Sequence, residues 1–139
     1  MSVILTDSAP DTATFIKLRE QCGWGKIESH IAERAIANSL LWMSAKIDAR
    51  VIGCVRVIGD GALNFYVQDL IVDESHRGRG IGSKLMQTLL SNCEKVLPIG
   101  ATIGLMSVTG KEPFYEAFGF QTRPVGRLGA GMTMSYDPL

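Results

Sequence analysis

The residues best suited to chemistry form one short run, Arg77-Gly78-Arg79-Gly80-Ile81-Gly82. It follows a β-favouring stretch over 63–73 that ends in the apolar group Leu70-Ile71-Val72. Beyond it, apolar residues recur at Ile81, Leu85, Met86, Leu89, Leu90 and Cys93. That spacing puts one apolar face on a helix, so the order is strand, glycine-rich turn, helix. A helix start exposes amide N–H groups with no partner inside the helix, and the helix dipole adds partial positive charge there. Such a mouth accepts a phosphate or pyrophosphate. The glycines at 78, 80 and 82 let an anion lie directly against the main chain, and Arg77 and Arg79 add fixed positive charge beside it.

Two other phosphate-loop patterns fail on this string. G-x-G-x-x-G, started at Gly78, breaks at Ser83. G-x-x-x-x-G-K-[ST], placed on Gly110-Lys111, breaks at Leu105 and Glu112. The pattern that fits is Arg-x-x-Gly-x-Gly directly after a strand. It resembles the acyl-coenzyme A loop of the GNAT superfamily of N-acetyltransferases. Further along, Pro113-Phe114-Tyr115-Glu116-Ala117-Phe118-Gly119-Phe120 is similar to that family's F-Y-x-x-F-G-F run. The two motifs stand in the family's order, and the resemblance covers essentially the whole chain.

The resemblance implies an α+β fold in a single domain, 1–139. Its mixed, mostly antiparallel sheet has six to seven strands, about four flanking helices and a splayed central parallel strand pair. It also implies acetyl-CoA as cosubstrate and direct transfer to a primary amine of a small molecule. The pyrophosphate then lies on the amides of Arg77 to Gly82 with Ser83, and the pantetheine arm runs beside Leu70, Ile71 and Val72. Phe114 belongs to the same carrier site. Tyr115 matches the family's proton donor to the leaving thiolate. A thiol with a pKa near 8.5 is well served by a donor of slightly higher pKa, which a phenol supplies.

The acceptor poses the opposite problem. A primary alkylamine is about one part in a thousand neutral at pH 7, so making it nucleophilic costs about 4 kcal/mol unless the site shifts that equilibrium. Many relatives carry glutamate where this chain has Gln68, and an amide cannot take the proton. An ordered water held by Gln68, Tyr66 or nearby carbonyls is one solution, and Asp69 is another, although a structural role suits Asp69 better. On a regular strand Asn64, Tyr66 and Gln68 share one face and Asp69 points to the other. Acceptor contacts are expected from Trp24, Asn64 and Arg127. Trp24, between Gly23 and Gly25, reads either as a pocket wall or as a plug between helices. Arg127 reads either as a carboxylate partner or as solvated surface charge. His30 reads as surface or core, with no metal-ligand spacing around it. Cys54 has no histidine partnering that would suggest an acyl-cysteine intermediate.

Elements that position these residues follow from the same string. Val3 to Leu5 forms a short edge strand, and Asp7 to Asp11 supplies breakers and a cap for a helix over 11–21 with Phe15, Leu18 and Cys22 inward. A second helix over 27–37 presents Ile27, Ile31 and Ala35, with Ala32 and Ile36 alongside. Leu40 to Ile47 and Arg50 to Ile58 make a hairpin across Asp48-Ala49. Gly59-Asp60-Gly61 turns the chain into the next strand. After the helix over 80–94, Pro98 and Gly100 precede a buried strand over Ala101 to Val108, parallel to its predecessor across the helical crossover. A helix over 111–118 ends at Gly119. Phe120 to Arg123 and Met132 to Tyr136 form a final strand pair around the loop 124–131.

Bulk properties narrow the partners. The 139 residues carry 14 basic and 14 acidic side chains, so no net charge favours nucleic acid or an anionic membrane. No run is long enough to span a bilayer, and the start lacks a signal-peptide pattern. Three widely spaced cysteines without a C-x-x-C fit free thiols in a reducing cytoplasm. The family resemblance also allows a homodimer.

Overall fold

A computed structural model describes residues 2–136. Two compact units divide the chain near residue 105. The first carries β1 (Ile4–Thr6), α1 (Thr12–Gln21), α2 (Ser29–Ala37), β2 (Leu41–Ile47), β3 (Arg50–Gly59), β4 (Asn64–Val72), α3 (Ile81–Glu94) and β5 (Thr102–Gly104). The strands form one sheet in the order β1-β2-β3-β4-β5. All neighbours are antiparallel except β4 and β5.

Local chemistry explains the connections. The β2–β3 hairpin turns on Asp48 and Ala49, both at positive φ (49° and 66°), the geometry whose twist suits a two-residue hairpin. At the next turn one carboxylate oxygen of Asp60 accepts the backbone N–H groups of Ala62, Leu63 and Asn64 at 2.8, 2.8 and 3.0 Å. Those three bonds hold the Asp60 carboxyl well below the usual carboxylate range. Asp11 caps α1 by accepting the Thr14 N–H at 2.7 Å.

Helices cover both faces. Phe15 and Leu18 of α1 and Ala32 of α2 pack with Trp42, Cys54 and Ile71. Next to these strand residues, Met43 accepts a hydrogen bond from Asn92 of α3, and Gly53 lies beneath Leu85. Consecutive strand residues point to opposite faces, so α1 and α2 lie on one side and α3 on the other. A Cβ at Gly53 would stand 3.1 Å from the Ile71 carbonyl and 3.2 Å from Leu85 Cδ1, which is why a residue without a side chain occupies that position. The buried stripe of α3 is Ile81, Leu85, Met86, Leu89 and Cys93, as the spacing predicts, with Leu90 half-buried.

Several expectations are corrected. The described sheet has five strands instead of six to seven, so its parallel pair lies at an edge instead of in the centre. The strand expected over Ala101 to Val108 is only Thr102–Gly104, and it is half-exposed. Phe120 to Arg123 and Met132 to Tyr136 do not pair as strands; the second unit contains an isolated bridge between Val125 and Leu128. Met132, Met134 and Tyr136 alternate as a strand would, yet all three are exposed, so alternation alone did not supply a neighbouring strand. In α2 the buried residue is Ala32, whereas Ile31 is exposed.

The second unit, from Met106 onward, is built on α4 (Glu112–Glu116), shorter than the expected 111–118. Phe114 makes edge-on ring contacts with Tyr115 and Phe118, and Tyr115 meets Phe120 in the same manner. Gly119 follows at a φ of 100°, a backbone angle that favours glycine.

Candidate active site

The glycine-rich turn has the geometry that an anion cradle requires. Gly78 and Gly80 take φ of 77° and 76°, and a Cβ on either would project into open space with nothing within 4 Å. Gly80 is the N-cap of α3 and offers no side-chain cap, so among the described residues no side chain caps the amides at the start of the helix. Arg79 is exposed beside them. Arg77 is arranged differently: its Nε donates to the Val72 carbonyl at 2.9 Å, tying the turn to the end of β4. Between them Asp73 caps a single helical turn at Glu74–His76. Burial pushes the Asp73 carboxyl up, but hydrogen bonds from the Ser75 backbone, Gln21 and the Ser75 hydroxyl outweigh it and leave the group below its ordinary value.

β4 has an open edge. β5 pairs with it only at Asn64, Tyr66 and the Phe65 between them. From Val67 to Val72 that side of β4 faces no strand among the described residues, so Leu70, Ile71 and Val72 lie where an extended arm would add as a further strand. Room, free amides and fixed charge therefore all fit a nucleotide-tailed thiol carrier.

β4 is not a regular strand throughout. Cys54 pairs with Ile71 and Arg56 with Gln68, so Asp69 and Leu70 together oppose the single residue Val55. This is a β-bulge. Asp69 sits at a φ of 56°, a left-handed conformation whose cost is about 1–3 kcal/mol for a residue other than glycine. Its carbonyl accepts from the Cys54 thiol at 3.5 Å. Its carboxylate is fully enclosed, with Oδ1 paired to Arg19 and Oδ2 accepting Arg56 Nε at 2.7 Å. Both oxygens are engaged and none is exposed, so Asp69 cannot reach an acceptor proton. Sequence reading missed Arg19 and Arg56, which stand 50 and 13 residues away from it.

The other expected residues fall into separate settings. Gln68 and Tyr66 are half-buried on the same alternating face of β4. Asn64 is at the start of β4, where its side-chain amide donates to Asp60 at 3.1 Å, and so it is engaged in the turn. Trp24 is exposed, with the Arg19 guanidinium 5.2 Å from its ring centre, which removes the plug reading. In the second unit Tyr115 is half-buried, and burial pushes its phenol above 10. Arg127 is exposed there, in a loop where Arg123 Nε donates to the Gly129 carbonyl at 2.6 Å. His30 is exposed next to Glu28. Burial pushes Cys54 up too, beyond any useful nucleophilicity.

The family model for the acetyltransferase (GNAT) domain matches residues 38–122, more than half of the chain. The chain belongs to the GNAT acetyltransferase family. An Arabidopsis thaliana chloroplastic GCN5-related N-acetyltransferase 1 is 32% identical over 92 residues, which are 66% of this chain and 46% of the relative. The chain spans about half the length of the curated relatives it matches. Among solved structures, a Staphylococcus aureus protein of unknown function, described as a probable acetyltransferase, superposes with a TM-score of 0.87. It is 27% identical, and the match covers 97% of this chain and 100% of that one. A Streptococcus pneumoniae GNAT family acetyltransferase gives 0.79 at 25% identity, covering 98% and 100%. This GNAT chain shares their mixed α+β architecture, and no helix among its described residues is long and apolar enough to cross a membrane.

Proposed function

We propose that this chain is an acetyl-CoA-dependent N-acetyltransferase acting on a primary amine of a small molecule, amine or amino-acid-like. The observation that carries the reading is the uncapped, glycine-cradled start of α3 at the end of an open-edged β4. Acetyl-CoA, when bound, supplies an activated acetyl thioester. Arg77 to Ser83 hold its pyrophosphate through main-chain amides, with Arg79 adding charge, and Leu70 to Val72 hold its arm through backbone bonds. Phe114 belongs to the same carrier site on the strength of its motif. Tyr115 Oη carries the proton destined for the leaving sulfur, and its raised pKa keeps that proton in place through neutral pH. A water held by Gln68, Tyr66 or adjacent carbonyls relieves the amine of its proton. Trp24, Asn64 and Arg127 are the proposed acceptor contacts.

The whole chain acts as one domain in this reading, since the family match runs through both units. Balanced charge supports a small acceptor over nucleic acid or membrane. The free cysteines support a reducing compartment, the cytoplasm. The family resemblance is compatible with a homodimer.

A screen for released thiol, with acetyl-CoA and a library of metabolite amines, tests the reading. Turnover with at least one amine is expected, and Tyr115→Phe is expected to reduce it about ten- to a thousandfold while acetyl-CoA affinity stays within about twofold. Gln68, an amide where a proton acceptor is wanted, favours a second reading: a non-catalytic acyl-CoA-sensing or protein-binding module. Calorimetric binding of acetyl-CoA with no thiol released by any amine selects that alternative. Absence of binding removes the enzyme and the acyl-CoA sensor and leaves the protein-binding module.

A further inference from the structure

We propose that Asp69, gripped by Arg19 and Arg56, is a positioning residue that sets the open edge of β4 for the acyl-carrier arm. The proposal rests on the acetyl-CoA reading above and adds to it three side chains that touch neither carrier nor acceptor.

Location comes first. The bulge at Asp69 and Leu70 lies within Val67 to Val72, the part of β4 left unpaired by β5. A bulge re-aims the backbone groups on either side of it, so its shape determines which amides and carbonyls the open edge presents. Asp69 occupies the left-handed conformation there without being glycine, so the surroundings must hold it.

Three elements grip Asp69. Arg19 reaches from α1 to Oδ1, and Arg56 reaches from β3 to Oδ2. Arg56 also donates to the Ala35 carbonyl at 3.3 Å and the Ser39 hydroxyl at 3.2 Å, so the end of α2 is tied to the same point. Trp24 covers Arg19 from the solvent side, and Phe15 lies 5.8 Å from both guanidinium groups. Two guanidinium groups face one carboxylate, and Arg19 Nε is buried with no hydrogen-bond partner. A group of this kind is a poor way to gain stability, since apolar packing usually does as well or better. Its advantage is geometric: charge-assisted bonds from rigid forks fix one arrangement of the backbone.

The test uses the full chain, with acetyl-CoA calorimetry in the absence of acceptor and steady-state kinetics across pH. Asp69→Asn preserves shape and removes the charge. We expect acetyl-CoA affinity to weaken roughly ten- to a hundredfold, with the pH dependence of kcat unaltered at saturating acetyl-CoA. Trp24→Ala removes an exposed cover without opening the core, and is expected to weaken the same affinity by a few-fold. Arg56→Lys keeps the charge and loses the fork, and serves if Asp69→Asn does not fold. A collapse of kcat with a lost pH limb and normal affinity would make Asp69 part of the proton chemistry and overturn the proposal. Unchanged affinity in the folded variants overturns it too, while leaving the acetyl-CoA reading intact. No binding by the unaltered protein overturns both.

Discussion

The bulge at Asp69 and the turn at Arg77 to Ser83 lie within 15 residues of each other on the same strand–turn–helix unit, and they are built by opposite means. At the bulge, backbone shape is held by ion-paired side chains drawn from α1, β3 and β4, the carboxylate buried and the two guanidinium groups half-buried. At the turn, shape is released by the absence of side chains, and the backbone itself is the proposed binding surface. One region therefore depends on contacts far apart in sequence, and the other on residue types in a row. Substitutions at the two should fail differently.

The largest effect is expected from Asp69→Ala, which strands two half-buried guanidinium groups. It should lower the unfolding free energy by about 3–5 kcal/mol in urea titrations. Gly80→Ala is the contrasting case. Forcing a Cβ into the left-handed region should cost only about 1–2 kcal/mol of stability, but should remove most of the acetyl-CoA affinity read by calorimetry. If Gly80→Ala unfolds the protein while Asp69→Ala does not, the comparison is reversed. Arg79→Ala tests whether the turn relies on its amides more than on its charge. A two- to fivefold loss, on the order expected for an exposed ion contact and shrinking with added salt, fits the amide-led cradle. A much larger loss would move the turn toward the side-chain logic of the bulge.

The smallest expected effect is at Asp73, which stands between the two. Its carboxyl is held below the ordinary 3.8 because hydrogen bonds from Ser75 and Gln21 outweigh burial. A carboxylate lowered on folding stabilises the fold above its unfolded pKa and loses that contribution as pH falls through the folded value. Between pH 5 and 3, Asp73→Asn should therefore lose less stability than the unaltered protein, as measured by urea midpoints.

The same contrast explains what could be read in the sequence. Arg77 to Gly82 and the Ile81-Leu85-Met86-Leu89-Cys93 stripe were legible because their requirements are local and periodic. The Asp48-Ala49 hairpin was legible for the same reason. The structural role and inward face of Asp69 were legible, but its bulge was not, because alternation around it is intact: Phe65, Val67, Asp69 and Ile71 are all buried. Nothing local marks Arg19 or Arg56 as its partners, since ion pairing across 50 residues leaves no periodic trace. Met132, Met134 and Tyr136 erred in the other direction, because a two-residue period states a preference for a neighbouring strand and cannot provide one.

Gly53 gives this arrangement one more consequence. A single hydrogen atom where any other residue has a carbon lets Leu85 of α3 rest directly on the strands. The mouth of that helix is the proposed nucleotide grip, so a glycine on the sheet face beneath α3 bears on the grip from behind. Natural variation at this one spacer would retune ligand affinity while every atom facing the ligand stayed the same.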